Sequence, residues 1–192
     1  MDRRTFFRRG LKQLGEEVAK QAMHRAERRA GRWIRPPFAL DELEFLLACT
    51  RCRACIEACP QHVIFPLSAR CGASVMGTPA LDLLNRGCHL CADWPCVAAC
   101  EPAALRRPGD AQDAAPRLAS VWIEPRHCLP YQGPECGACA GSCPVPDALQ
   151  WQGARPHIDP ARCVGCALCH EACIVQPKAI GVAALQRTEE TA

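Results

Sequence analysis

Seventeen of the 192 residues are cysteine, and sixteen of them fall into four runs of four. Cys49, Cys52, Cys55 and Cys59 read C-x2-C-x2-C-x3-C followed by Pro60, the pattern of bacterial ferredoxins. Cys163, Cys166, Cys169 and Cys173 repeat that spacing, with Ile174 in place of the proline. Between them lie two variants: Cys88, Cys91, Cys96 and Cys100 (C-x2-C-x4-C-x3-C), and Cys128, Cys136, Cys139 and Cys143 (C-x7-C-x2-C-x3-C), the latter followed by Pro144. A 4Fe-4S cube needs one thiolate at each iron corner, and a tight loop with two-residue gaps wraps three sulfurs around one cube. The fourth cysteine opens a helical turn that carries its sulfur to a second cube, so paired runs exchange fourth ligands. Four runs thus predict four 4Fe-4S clusters and leave open which runs pair.

Other chemistries fit less well. Structural zinc wants CxxC pairs that contribute two ligands each, whereas these runs carry three plus one. Cys166, Cys169 and His170 spell the covalent haem signature, but both cysteines already belong to a ferredoxin run. Disulfides are disfavoured by the odd cysteine count and by the absence of a complete secretory signal. Cys71, outside every run, reads as a small hydrophobe or spare thiol, and His62, His89 and His127 as polar loop residues. With sixteen sulfurs for sixteen corners there is no open iron site for catalysis, which makes an electron carrier the expectation rather than an enzyme.

The elements that must hold these sulfurs are modest. Hydrophobic residues make up 49% of the chain. Without cysteine the share falls to roughly 40%, a thin ordinary core that metal binding must supplement. No apolar run is long enough to span a membrane. Net charge +3 divides unevenly: residues 1–35 hold 11 Lys and Arg against 4 Asp and Glu, while the remainder holds 12 against 16. The body therefore lacks the electropositive surface that nucleic-acid binding requires. Phe7, Leu11, Leu14, Val18 and Ala22 form an apolar stripe on a basic amphipathic helix expected over residues 1–36, ending near Arg35. Such a helix docks on a protein or touches a membrane peripherally. Arg3-Arg4-Thr5-Phe6-Phe7 looks like a twin-arginine export core, but charged residues follow where an apolar stretch is needed. The expected location is cytoplasmic, with periplasmic export as the alternative. Residues 37–182 form the cluster domain, with short strands at Val121–Ile123 and His157–Asp159 and a solvated loop over Arg106–Arg117. Residues 183–192 read as a flexible tail.

Residues 36–182 resemble the ferredoxin-type accessory proteins of periplasmic nitrate reductase and methylamine utilisation, the NapG/MauM type. The resemblance is carried by Arg35-Pro36-Pro37, Glu44-Phe45-Leu46, Gly77-Thr78-Pro79, the segment from Cys91 through Asp93-Trp94-Pro95 to Cys96, and Cys128-Leu129-Pro130-Tyr131. It implies an α+β fold of two interlocked dicluster ferredoxin-like modules behind the N-terminal helix. The second run is also similar to four-cluster subunits of molybdenum oxidoreductases. That similarity implies nested pairing, with Cys49, Cys52, Cys55 and Cys173 on one cluster and Cys163, Cys166, Cys169 and Cys59 on another. Cys88, Cys91, Cys96 and Cys143 would hold the third, and Cys128, Cys136, Cys139 and Cys100 the fourth. The implied role is an electron relay between redox partner proteins, among them a membrane-bound quinol-oxidising subunit or a molybdenum oxidoreductase. The alternative is an assembly factor that donates clusters or electrons to an apo-oxidoreductase.

Overall fold

The computed structural model describes residues 33–109 and 115–185. In chain order they form α1 (Glu42–Ala48), α2 (Ala54–Glu57), β1 (Ile64–Pro66), a 3-10 turn (Ala69–Cys71), β2 (Pro79–Leu81), α3 (Pro95–Ala98) and β3 (Ala119–Ile123), then α4 (Leu129–Gln132), β4 (Leu149–Gln152), β5 (Arg155–Ile158), α5 (Leu168–Ala172) and β6 (Ile180–Ala184). This is an α+β arrangement of short pieces. Helices of four to seven residues are too short to hold themselves in water, so the loops around the cysteines must hold them. Among the described residues no helix is long and apolar enough to cross a membrane.

Three antiparallel strand pairs cover the cysteine loops. β1 pairs with β2 (Ile64 opposite Leu81), and β3 with β6 (Val121 opposite Val182). β4 and β5 form a hairpin whose two-residue turn places Gly153 at φ +61°. A two-stranded pair is marginal alone and gains stability by packing one face on a core. Ile64 and Leu81 pack with Phe45, Cys55, Cys59, Cys88 and Cys96 in the first half, and Val121, Ile158 and Ile180 with Cys139 and Cys169 in the second. The cysteines are thus core residues in their own right.

A buried polar network at the start of the described chain gathers several of the segments that carry the family resemblance. The Arg35 guanidinium donates to both carboxylate oxygens of Glu42 (2.9 and 2.5 Å), to Thr78 Oγ1 (2.9 Å) and to the Pro79 carbonyl (2.8 Å). It also lies 4.7 Å from the centroid of the Phe45 ring. Thr78, fully buried, donates its hydroxyl to the Val75 carbonyl at 2.6 Å. A planar fork with five donors suits this convergence and a point-charge ammonium does not. The network ties α1 to β2 and braces the first cysteine loop from behind.

The two halves meet through backbone and side-chain contacts and through a shared cluster in which Leu118, Ala119 and Ala167 join Cys88 and Leu105. Cys88 N–H donates to the Cys166 carbonyl (2.8 Å), and Gly87 N–H to Glu171 Oε2 (2.7 Å). At Gly87 a Cβ would lie 2.9 Å from the Leu168 backbone, so the approach requires glycine. The halves therefore abut along one seam.

Three expectations about chain boundaries change or fall outside the described residues. The N-terminal helix falls on residues 1–32, outside them, and Trp33–Arg35, placed at its end, are not helical. The tail does not begin at 183: β6 continues to Ala184, where Ala183 and Ala184 pair with Ser120 and Ala119, and the remaining tail lies outside the described residues. Strands at Val121–Ile123 and His157–Ile158 are present, with Asp159 just beyond the second. The loop over Arg106–Arg117 is without helix or strand where it is described.

Candidate metal centres

Each of four cavities is lined by four cysteines. Cys49, Cys52, Cys55 and Cys100 line the first; Cys59, Cys88, Cys91 and Cys96 the second; Cys143, Cys163, Cys166 and Cys169 the third; and Cys128, Cys136, Cys139 and Cys173 the fourth. All sixteen run cysteines are used once. The empty space at the four cavities, open mouths included, is similar, from about 320 to about 370 Å³.

These quartets differ from the nested sets. The fourth cysteine of each run lines the cavity of its neighbour in sequence: Cys59 and Cys100 cross between runs one and two, and Cys143 and Cys173 between runs three and four. Cys173 does not join Cys49, Cys52 and Cys55, nor does Cys59 join the fourth run. Likewise Cys143 is apart from the second run and Cys100 from the third. The physical reason is reach. α2 and α3 each carry the third cysteine of their run, Cys55 and Cys96, and pack against each other, so the fourth cysteine just beyond each helix reaches the neighbouring cavity.

Local backbone geometry explains how three sulfurs face one cavity while the fourth leaves. Arg53, Trp94 and Ala167, each just before a short helix, adopt left-handed backbone (φ +70°, +47° and +63°). A left-handed residue reverses the chain sharply, and non-glycine residues hold it only where the surroundings impose it. Gly165 (φ +73°) supports the fourth run from below: a Cβ there would lie 2.1 Å from the Ala119 carbonyl oxygen.

Electrostatics at the quartets is dominated by burial. It pushes the thiols of Cys55, Cys88, Cys139 and Cys166 up to about 11, and those of Cys96 and Cys169 to about 12. Facing sulfurs of the same quartet add to the rise, as Cys100, Cys49 and Cys52 do at Cys55. Backbone amides oppose it, those of Leu90, Tyr131, Gly165 and Leu168 facing Cys88, Cys128, Cys163 and Cys166. Without a bound cation such a quartet keeps its protons, and a metal must displace them to bind thiolates.

The donor set also says what fits. Four cysteines lining one cavity form the all-thiolate donor set that an iron–sulfur cluster takes. In the fourth cavity, lined by Trp151, the buried Trp151 Nε1–H has no hydrogen-bond partner among the described residues. A sulfur acceptor in that cavity would supply one.

The cavities stand in an order that differs from the order of the runs. The first and second are neighbours, since Cys55 and Cys96 lie close enough to oppose each other's ionisation. The second meets the third through the Cys88–Cys166 backbone bond. The third and fourth share α5, with Cys169 in one and Cys173 just past its end in the other. Run three therefore supplies one end of the series. Cys52, at the other end, is the one exposed cysteine among the seventeen.

Cys71 lies in none of the quartets; it packs beside Leu67, Val75 and Ala80, with Ser68 Oγ at 3.7 Å. His62 and His127 stay outside the cavity walls, and His89 is on the rim of the second cavity. His170, weighed in sequence only as part of a haem signature, is buried. Its Nδ1 faces the Ile180 carbonyl (2.5 Å) and its Nε2 the Leu84 carbonyl (3.1 Å), so both ring nitrogens are engaged and the side chain straps the halves together. Lys178, which no sequence pattern marked, donates to three carbonyls at the end of α5.

No protein-family model matches the chain. Individual proteins do. It is 31% identical to the methylamine utilization ferredoxin-type protein MauM of Methylophilus methylotrophus, over 93% of this chain and 85% of that protein. It is likewise 31% identical to the ferredoxin-type protein NapG of Escherichia coli K12, over 90% of this chain and 79% of that one. The chain belongs to the NapG/MauM ferredoxin-type family. The ferredoxin-type protein NapF of E. coli K12 is 32% identical over 77% of the chain and 84% of its own length. Membership of this ferredoxin-type family, together with the cysteine quartets, supports iron–sulfur binding and an electron-carrying role.

Proposed function

We propose that this NapG/MauM-type ferredoxin carries four 4Fe-4S clusters, one in each quartet, and passes electrons along them between two redox partner proteins. The observation that carries this reading is the sorting of sixteen cysteines into four cavities of similar size with four sulfurs each. When bound, such clusters supply one-electron transfer. The chain's own part is to hold the sites in series, surround them with amides that face sulfur, and exclude water through Phe45, Leu81, Val121 and Ile180. Electrons enter and leave at the ends of the series, where Cys52 is exposed on one side and Ile174, beside Cys173, is 70% exposed on the other.

The partner classes rest on the family resemblance. A quinol-oxidising membrane component and a molybdenum oxidoreductase are the classes that the family resemblance favours, with the basic segment 1–35 and the acidic body as two unlike docking surfaces. Anaerobically purified chain is expected to be brown and to contain about 16 irons and about as many acid-labile sulfides. Colourless protein, or a content near four zinc ions, overturns the proposal. Stable retention of the clusters in the presence of an apo-oxidoreductase separates the relay from cluster donation.

A further inference from the structure

We propose that Lys178 and Trp151 set the reduction potential at the third-run end of the series, drawing electrons toward the Cys128, Cys136, Cys139 and Cys173 quartet. The inference rests on the reading of the quartets as cluster sites. Two independent observations bear on this quartet: Lys178 contacts the backbone of Cys173, and Trp151 lines the cavity.

The first is a fixed positive charge. Lys178 Nζ donates to the carbonyls of His170 (2.9 Å), Glu171 (3.0 Å) and Cys173 (2.9 Å), which uses all three ammonium protons and locks the group in place. Among the described residues no carboxylate forms an ion pair with it. The Glu171 carboxylate accepts from Gly87 N–H, toward the other half of the molecule. At the corresponding position in runs one and two, the Cys59 and Cys100 carbonyls accept from the backbone amides of His62 and Ala103, which carry no net charge. The second observation is Trp151, which lines the same cavity and whose buried Nε1–H has no hydrogen-bond partner among the described residues.

One-electron reduction adds a negative charge to a cluster. A nearby cation and a hydrogen bond to sulfur both favour the reduced form, so both raise the potential. Lys178 sits against the backbone of Cys173, a member of the end quartet, and of α5, which carries Cys169 of the adjacent one. At the first cavity the cationic residues in the wall, Arg51 and Arg53, are exposed to solvent, and Arg51 is turned to the Met76 and Ser74 carbonyls.

The test is an anaerobic redox titration of the full chain with its clusters, reduced by dithionite and followed by electron paramagnetic resonance. K178Q, K178R and W151F are compared with the unaltered protein. Iron content of the unaltered chain first decides the underlying reading by itself. K178Q, which keeps a donor but loses the charge, and W151F, which loses the donor, are each expected to move the same highest potential to a more negative value. K178R is expected to stay near the unaltered protein, and the potentials of the first module to stay in place. With all four clusters present, potentials unmoved in K178Q and W151F, or all four moved together, overturn the inference. So does loss of iron from K178Q that K178R prevents, because the ammonium would then be an assembly cap and not a potential-setting charge.

Discussion

Replacing cysteines in pairs separates adjacent exchange from nested exchange by a count of iron. Cys49 and Cys100 line one cavity, and Cys49 and Cys173 line two different ones. If each quartet holds one cluster, a single Cys49→Ala takes the content from about 16 irons to about 12. Adding Cys100→Ala strikes the same site, so the double variant stays at about 12. Adding Cys173→Ala strikes a second site, and the content falls to about 8. Nested exchange reverses the two doubles. The informative quantity is the comparison of each double with its own singles, since a shared site gives no further loss and separate sites give the sum. Iron and labile sulfide per chain, measured on anaerobically purified protein, read it directly. Cys49→Ala/Cys100→Ala losing twice as much as either single, or Cys49→Ala/Cys173→Ala losing no more than one, refutes the quartets described above.

Two further outcomes follow from the scaffold. Arg35→Met leaves the Glu42 carboxylate buried without its cation, which costs about 3–5 kcal/mol. Cluster loss on heating or in urea should come markedly earlier while the initial iron content is unchanged, and an unaltered midpoint would contradict the bracing role. Gly165→Ala forces a Cβ to 2.1 Å from the Ala119 carbonyl, whereas Gly153→Ala, at a similar positive φ (+61° against +73°), meets nothing within 4 Å. Both carry the backbone penalty of about 1–2 kcal/mol. Only the first should lose the cluster site of Cys163 and Cys166, seen as about 4 missing irons.

The residues that carry the family resemblance illustrate what a linear reading leaves out. Arg35, Glu44-Phe45-Leu46 and Thr78-Pro79 stand apart in sequence as separate short motifs. In the fold Arg35 joins Glu42, Thr78 and Pro79 and lies over Phe45, so several of these motifs belong to one brace. Glu42, its buried anion, belonged to no motif. Lys178 and His170 were similarly missed, because their partners are backbone carbonyls, and a carbonyl has no letter in a sequence.

That sixteen cysteines would gather in fours was legible from their grouping into runs, because closely spaced sulfurs on a tight loop are brought together locally. So were the strands at Val121–Ile123 and near Ile158, where apolar residues precede a cysteine loop. The choice of partner run was not. Every run offers the same fourth cysteine, and nothing in the spacing tells one distant run from another. Packing decides it: α2 against α3, Gly165 beneath Ala119, and Gly87 against Leu168 leave room for one arrangement of neighbours. The order of the cavities, with the third run at an end and the fourth inside, belongs to that tertiary choice, because contact across the Cys88–Cys166 seam is a property of the folded backbone and of no stretch of residues by itself.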